Sequence, residues 1–258
     1  MSATLLLVLF IVSLIANLLS ALAGGGAGLL QLPALLVLGL PFGTALATHK
    51  VASVALGVGA SLRHLQGGRL DLRFATFILA FGLPGVWLGT QIILAVPEHM
   101  AELALGVLTL GLGAYSLLKP VLGQELMPRH RDWMGMLCGG GVLTLIGMMN
   151  GSLTSGTGLF VTLWLVKWFG LDFSRATIYT LILVGLFWNG LGALFLGMQA
   201  SIAWAWLPPL LAGSLVGGYA GAHWALLKWN AFIKRAFEVL TILVGLHLIV
   251  DAVSYLWG

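Results

Sequence analysis

"ALAGGGAGLLQLPALLVLGLP", residues 21–41, sets four glycines between Gly24 and Gly28 within an almost unbroken apolar run. A glycine inside a helix costs about 1 kcal/mol relative to alanine. In hydrocarbon a break costs more, because freed backbone N–H and C=O groups find no water. Non-helical backbone at membrane depth persists only where it is buried in protein or lines a wet cavity. The stretch is therefore either a packing device or part of a site, and the rest of the sequence separates the two.

The surroundings fix the solvent. Of 258 residues, 60% are hydrophobic and 8% charged, against about 25% charged in soluble domains. Several windows run about 18 residues or more without a charge, enough to cross a bilayer. The fold class read from this is an all-α polytopic membrane protein. The net charge of +4 lies in short loops and reads as topology signalling, not as a nucleic-acid footprint. The single Cys138 sits in an apolar run, which excludes a disulfide framework and predicts a small packed hydrophobe. The N-terminus imitates a secretory signal, but no Lys or Arg precedes Lys50. Residues 1–22 are therefore read as part of the mature chain.

Apolar segments fall at 4–22, 29–40, 43–62, 73–95 and 100–118, then again at 133–149, 159–169, 174–196, 202–227 and 233–257. Between the sets lies the polar linker "KPVLGQELMPRHRD", 119–132. The halves match in order: Gly28-Leu29 with Gly158-Leu159, Gly39-Leu40 with Gly170-Leu171, Phe42 and Ala45 with Phe173 and Ala176. Gly59 falls on Gly190, Gly85 and Gly89 fall on Gly217 and Gly221, and Val107-Leu108-Thr109 falls on Val239-Leu240-Thr241. The organisation is thus a first transmembrane repeat (1–118), a linker (119–132) and a second repeat (133–258). In both copies the second segment is too short to span about 30 Å of hydrocarbon.

Basic residues choose the relative orientation. If each half crosses an odd number of times, every Lys and Arg except Lys50 falls on one side, as the positive-inside rule favours. That predicts inverted-topology repeats, each with a Gly-broken or re-entrant helix pair plus three full transmembrane helices. It places the chain as a multi-pass protein of the cell (inner, plasma) membrane. Loops 63–72, 119–132 and 228–235 would be cytoplasmic and both termini outside.

In this frame the glycine break gains a purpose. A short helix starting near mid-membrane points its free N–H groups and positive dipole end inward, and bare glycine backbone admits an anion. The second copy, Asn150-Gly151 through Gly158, adds hydroxyls. Gly85/Gly89 and Gly217/Gly221 read instead as close helix packing. Lys50, some 10 Å into the first full span, can supply positive charge, with snorkelling to the interface as the competing reading. His49 beside it could carry a proton. The substrate-binding set is Gly24, Gly25, Gly26, Gly28, Thr48, His49 and Lys50, facing Asn150, Gly151, Thr154, Ser155, Gly156, Thr157 and Gly158. Asn17, Gln31 and Asn189 are polar candidates more in keeping with interhelical bonding. His223 and His247 lack partners at metal-ligand spacing and read as structural. No metal, cofactor or catalytic group is expected.

Ala23 to Gly28, Pro33-Ala34-Leu35, Gly39-Leu40-Pro41 and Ala45 to Lys50 together resemble the TauE/SafE sulfite exporter family, also called the sulfonate uptake permease group. Ala45 to Lys50 resembles the "A-x-A-T-N/S-K" stretch of one branch, and Asn150 to Gly158 the weaker second glycine motif. The resemblance covers essentially the whole chain. It implies a two-repeat transporter of small organosulfur or related organic anions. The chain departs from the branch at Asn150, where an acidic residue is usual, and at Leu181, where a second lysine often stands. The function expected is a secondary transporter of a small anion working by alternating access, with the site between the two breaks. Its partners are that anion, the lipid bilayer and, where it self-associates, a second copy in a homodimer. The alternatives are an anion channel or membrane subunit of a complex, and an intramembrane hydrolase using Ser155.

Overall fold

A computed structural model describes residues 2–64, 70–92, 98–119, 121–152, 156–227 and 230–257. Among these there is helix and no strand. The first half comprises α1 (Ala3–Ala23), α2 (Gly28–Val37), α3 (Phe42–His64), α4 (Leu72–Ile92) and α5 (Glu98–Leu117). The second comprises α6 (Trp133–Ser152), α7 (Thr157–Lys167), α8 (Phe173–Tyr179), a π-helical stretch (Thr180–Trp188), α9 (Asn189–Gln199), α10 (Leu207–Leu227) and α11 (Asn230–Trp257). Six helical stretches of the described chain are long and apolar enough to cross a membrane: α1, α3, α4, α6, the run from α8 to α9, and α10 with the turn before it. The two short helices, α2 and α7, follow the glycine breaks.

Local chemistry explains the first break. Ser2 caps the start of α1 by accepting from the Leu5 N–H at 3.2 Å. At the other end Gly24 takes φ 83° and Gly25 φ 140°, and both donate their N–H to the Ser20 carbonyl. L-residues with a Cβ rarely adopt that left-handed conformation, so glycine is needed to stop α1 there. At 21 residues α1 is about 31 Å long, enough by length alone to cross. The pair is thus a long helix and a short returning one, where the sequence left open two re-entrant arms.

Interhelical contacts fix the directions. Methyl groups at Gly213, Gly217 and Gly221 would strike the carbonyls of Phe10, Leu14 and Leu18, so α10 runs parallel to α1. Methyls at Gly85 and Gly89 would strike the carbonyls of Thr144 and Met148, so α4 runs parallel to α6. The first helix of each half therefore packs on the fourth of the other, through the glycine pairs read as packing surfaces. Gly85→Leu and Gly217→Leu are each expected to force a pair apart, at about 1–3 kcal/mol, lowering the thermal midpoint of the purified protein. Gly111→Leu, with nothing within 4 Å of its added Cβ, should leave the midpoint unchanged.

Two further helix pairs across the halves run antiparallel. Along α3 against the α8–α9 run, Gly57 meets Gly185 and Lys50 meets Gly192, while Thr44 bonds Ser201 at 2.9 Å. Along α5 against α11, Leu110 meets Gly245 and Gly113 meets Thr241. At the same interface buried Lys234 pairs with Glu238 and donates to the Ser116 carbonyl at 2.8 Å.

One end of the bundle collects the charge. The linker is strapped to the end of α7 by Met127 N–H to Gly170 C=O (2.8 Å) and Arg129 N–H to Phe169 C=O (3.1 Å). Asn230 donates to the Gln124 carbonyl (2.8 Å), the Asp71 N–H to the Tyr179 hydroxyl (2.8 Å), and Arg63 to His223 (2.8 Å). Every described lysine and arginine except Lys50 lies at this end. The described termini lie at the other end. Cys138 corrects the sequence reading: it is exposed on the outer face of α6, not packed. The neighbouring small residues Gly139 and Gly140 take the buried face instead.

Candidate functional site

Both breaks open onto one cavity of about 40 Å³. Its walls are Gly25, Gly26, Ala27 and Gly28 from the first break, and Asn150, Thr157 and Gly158 from the second. His49 and Ser53 of α3, Ser20 of α1, and Thr180, Gly185 and Asn189 of the α8–α9 run complete the lining. His49 and Ser53 fall about 10–17 Å along α3, in its middle third, so the cavity sits at mid-bundle.

The breaks touch backbone to backbone. A Cβ on Gly25 would lie 2.6 Å from the Gly158 carbonyl carbon, and one on Gly158 would lie 3.0 Å from the Gly25 Cα. Gly24 is wedged between the hydroxyls of Thr162 and Thr177, and its carbonyl accepts from Thr162 at 2.5 Å. α2 and α7 thus begin at the cavity with nothing thicker than backbone between them.

Their donors remain available. Neither helix has a side-chain cap on its first turn. The Leu29 N–H bonds the Gly26 carbonyl (3.1 Å) and the Leu159 N–H the Gly156 carbonyl (2.9 Å). The N–H groups of Gly26, Ala27 and Gly28 have no acceptor among the described residues. A buried unpaired N–H costs about 1–3 kcal/mol, and several at one point with two helix dipoles behind them call for a negative charge. Ser20 adds a buried hydroxyl with no hydrogen-bond partner among the described residues.

Lys50 supplies the charge from one layer behind the wall. Its ammonium donates to the Asn150 carbonyl (2.7 Å), Asn150 Oδ1 (2.8 Å) and Asn189 Oδ1 (3.2 Å). It is buried, it has no ion-pair partner among the described residues, and its stem lies against Gly192. An ammonium can only donate, so it sets the orientation of both amides. With the oxygens turned to Lys50, the NH2 of Asn150 donates to Thr157 Oγ1 at 2.8 Å, and that of Asn189 is left for the cavity it lines. At about 6 Å and an effective dielectric near 20, the lysine attracts a monoanion by about 3 kcal/mol.

The other residues of the sequence-based set divide clearly. Gly24 shapes the turn, Gly156 takes φ 73° ahead of α7 with Leu29 beside it, and Gly151 packs α6 on α4 at the Val86 carbonyl. Thr48 accepts from the Ala203 N–H at 2.9 Å, toward the end opposite the linker. Thr154 and Ser155 lie outside the described residues. Sequence reasoning missed Ser20, Ser53 and Thr180 as lining residues. The repeat alignment held one signal, since it sets His49 and Lys50 against Thr180 and Leu181, which both line the cavity. No group of three His, Cys, Asp or Glu converges among the described residues.

Comparison with known proteins places the chain among membrane transporters. The family model described as Sulfite exporter TauE/SafE matches residues 9–248. A "Probable membrane transporter protein" of Haemophilus influenzae is 31% identical over 249 residues, covering 96% of this chain and 95% of its own length. "Probable membrane transporter protein YfcA" of Escherichia coli is 28% identical over 255 residues, covering 97% and 92%. "Probable membrane transporter protein YdhB" of Bacillus subtilis is 20% identical over 246 residues, covering 95% and 100%. No solved structure matches the chain significantly.

Proposed function

Since the chain belongs to the TauE/SafE sulfite exporter family of membrane transporters, we propose that it is a secondary transporter of a small organosulfur or organic anion. The anion binds between the two glycine breaks and crosses by alternating access. The observation that carries the reading is Lys50: a buried ammonium bonded, among the described residues, to neutral oxygens and held behind a wall of backbone and amide donors. Such a charge is costly in a bilayer unless something negative joins it.

Alternating access is supported by the helix directions. α3 runs against the α8–α9 run and α5 against α11, and α1 and α6 each pair with the fourth helix of the other half. That is the contact pattern expected of inverted repeats related by an axis in the membrane plane. The end carrying the linker and the basic residues is then cytoplasmic and both termini are outside. A cavity of about 40 Å³ suits a closed state of a transporter better than an open pore.

Thermal unfolding of the purified protein tests the reading, with millimolar sulfite, methanesulfonate and acetate as probes. A ligand at 100 times its Kd adds about 2.7 kcal/mol to stability, so at least one probe should raise the midpoint. Asn189→Asp places a carboxylate against Lys50, neutralises the site internally and should abolish that rise in a protein that still folds. No shift with any probe, or an equal shift in Asn189→Asp, would sink the anion site.

A further inference from the structure

We infer that His49 binds a proton that travels with the anion, at its Nε2 atom; this rests on the anion site proposed above. The inference comes from hydrogen-bond polarity, which can be followed outward from one unambiguous acceptor. The Leu210 carbonyl can only accept, so the Ser13 hydroxyl, 2.6 Å away, spends its single proton there. Ser13 Oγ must then act as acceptor toward Gln31 Nε2 at 3.2 Å. That fixes the Gln31 amide, whose Oε1 faces His49 Nδ1 at 3.0 Å. An amide oxygen cannot donate, so the neutral ring carries its proton on Nδ1. Nε2 is left bare and accepts from the Ser53 hydroxyl at 3.1 Å.

The bare nitrogen sits where a proton and an anion can meet, since both His49 and Ser53 line the cavity. Among the described residues the ring bonds Gln31 on α2 and Ser53 on its own helix. Ser20 on α1, Asn150 on α6, Thr157 on α7, Thr180 on the π-helical stretch and Asn189 on α9 line the same cavity, and Asn17 on α1 and Ser214 on α10 stand behind Gln31; all of these groups are neutral. Among the described residues the charged neighbour is Lys50, next to it on α3 and directed at the asparagines. An empty site therefore disfavours a second positive charge beside Lys50. A bound anion removes that objection, and by linkage the proton tightens the anion as the anion tightens the proton. Protonation adds a proton from water to the Nε2 lone pair. Ser53 turns its hydroxyl away and becomes the acceptor, and no bond of the protein breaks. Release of both on the far side makes the cycle a proton–anion cotransport.

The test is calorimetric titration of the purified protein with methanesulfonate near pH 7.5, in two buffers of different ionisation heat. Methanesulfonate stays a monoanion throughout, so any proton taken up is bound by the protein. The expected result is close to one proton taken up per anion bound, with none in whatever binding His49→Gln retains. Binding by the wild type without proton uptake would overturn the role of His49 and leave the anion site standing. No binding of methanesulfonate, sulfite or acetate would overturn the anion reading on which it rests. Should His49→Gln fail to assemble, 15N-labelled histidine in the wild type reads the same event. One Nε2 resonance should move from bare to protonated on adding methanesulfonate, and its staying put would overturn the assignment.

Discussion

Gly25→Ala should fail to yield a stable, monodisperse protein. The new methyl would lie 2.6 Å from the Gly158 carbonyl carbon and 2.7 Å from its Cα and from the Leu159 nitrogen. All three are backbone atoms at the start of α7 and cannot swing aside as a side chain would. The backbone at Gly25 also stands at φ 140°, outside what alanine readily adopts. Strain of about 1–3 kcal/mol adds to overpacking of about 1–3 kcal/mol, a large share of the stability of a typical domain. Gly39→Ala separates the two causes. Gly39 has φ 97° with nothing within 4 Å of its added Cβ, so it should show the conformational cost alone as a modest drop in thermal midpoint. Equal damage from both substitutions would mean that contact between the breaks is not what holds the centre together.

Lys50→Met should remove transport and anion binding together while the helices still assemble. Methionine is close in length and fills the slot beside Gly192, but the Asn150 carbonyl and both amide oxygens lose their donor. Unpaired oxygens cost about 1–3 kcal/mol each, which the amides can relieve by turning over, and turning over withdraws the NH2 donors from the cavity. With the lost attraction of about 3 kcal/mol, binding should weaken on the order of 100-fold or more. Uptake of a labelled anion into proteoliposomes reads the effect. Lys50→Arg should be nearly as damaging, since a planar guanidinium cannot aim three donors at the same three oxygens.

The helices were legible because membrane solvation leaves the chain little choice. The observed bounds Gly28–Val37 and Thr157–Lys167 fall within a few residues of the short segments read from hydropathy. The packing role of Gly85 and Gly217 was equally legible, since a small residue every fourth position has one use in a helix facing another helix. The candidate site was legible in part. Contiguous glycines mark where backbone can approach backbone, and a charge eight residues into a span marks a polar interior.

What could not be read was the second layer. A lysine stem reaches about 6 Å, so residue position alone does not say whether Lys50 ends in the cavity or behind it. It ends behind, because Asn150 and Asn189 from two other helices meet it there, and that meeting is a product of packing. Ser20 and Ser53 carry no signal that separates them from the other small polar residues of their helices. The π-helical stretch Thr180–Trp188, which carries part of the cavity wall and the Trp188 ring packed on Gly82, escapes periodicity as well, since its i→i+5 bonding departs from the 3.6-residue period.

The central claim is that an anion binds where the two glycine breaks meet. The most direct measurement is a crystal soaked in selenite, the selenium analogue of sulfite, with selenium located by anomalous scattering. The account predicts a selenium peak in the cavity, within hydrogen-bonding reach of the Asn189 amide and the first turns of α2 and α7, and its loss in Asn189→Asp. Selenium found only among Lys119, Arg129 and Lys167 at the linker end, with the central cavity empty, would contradict it.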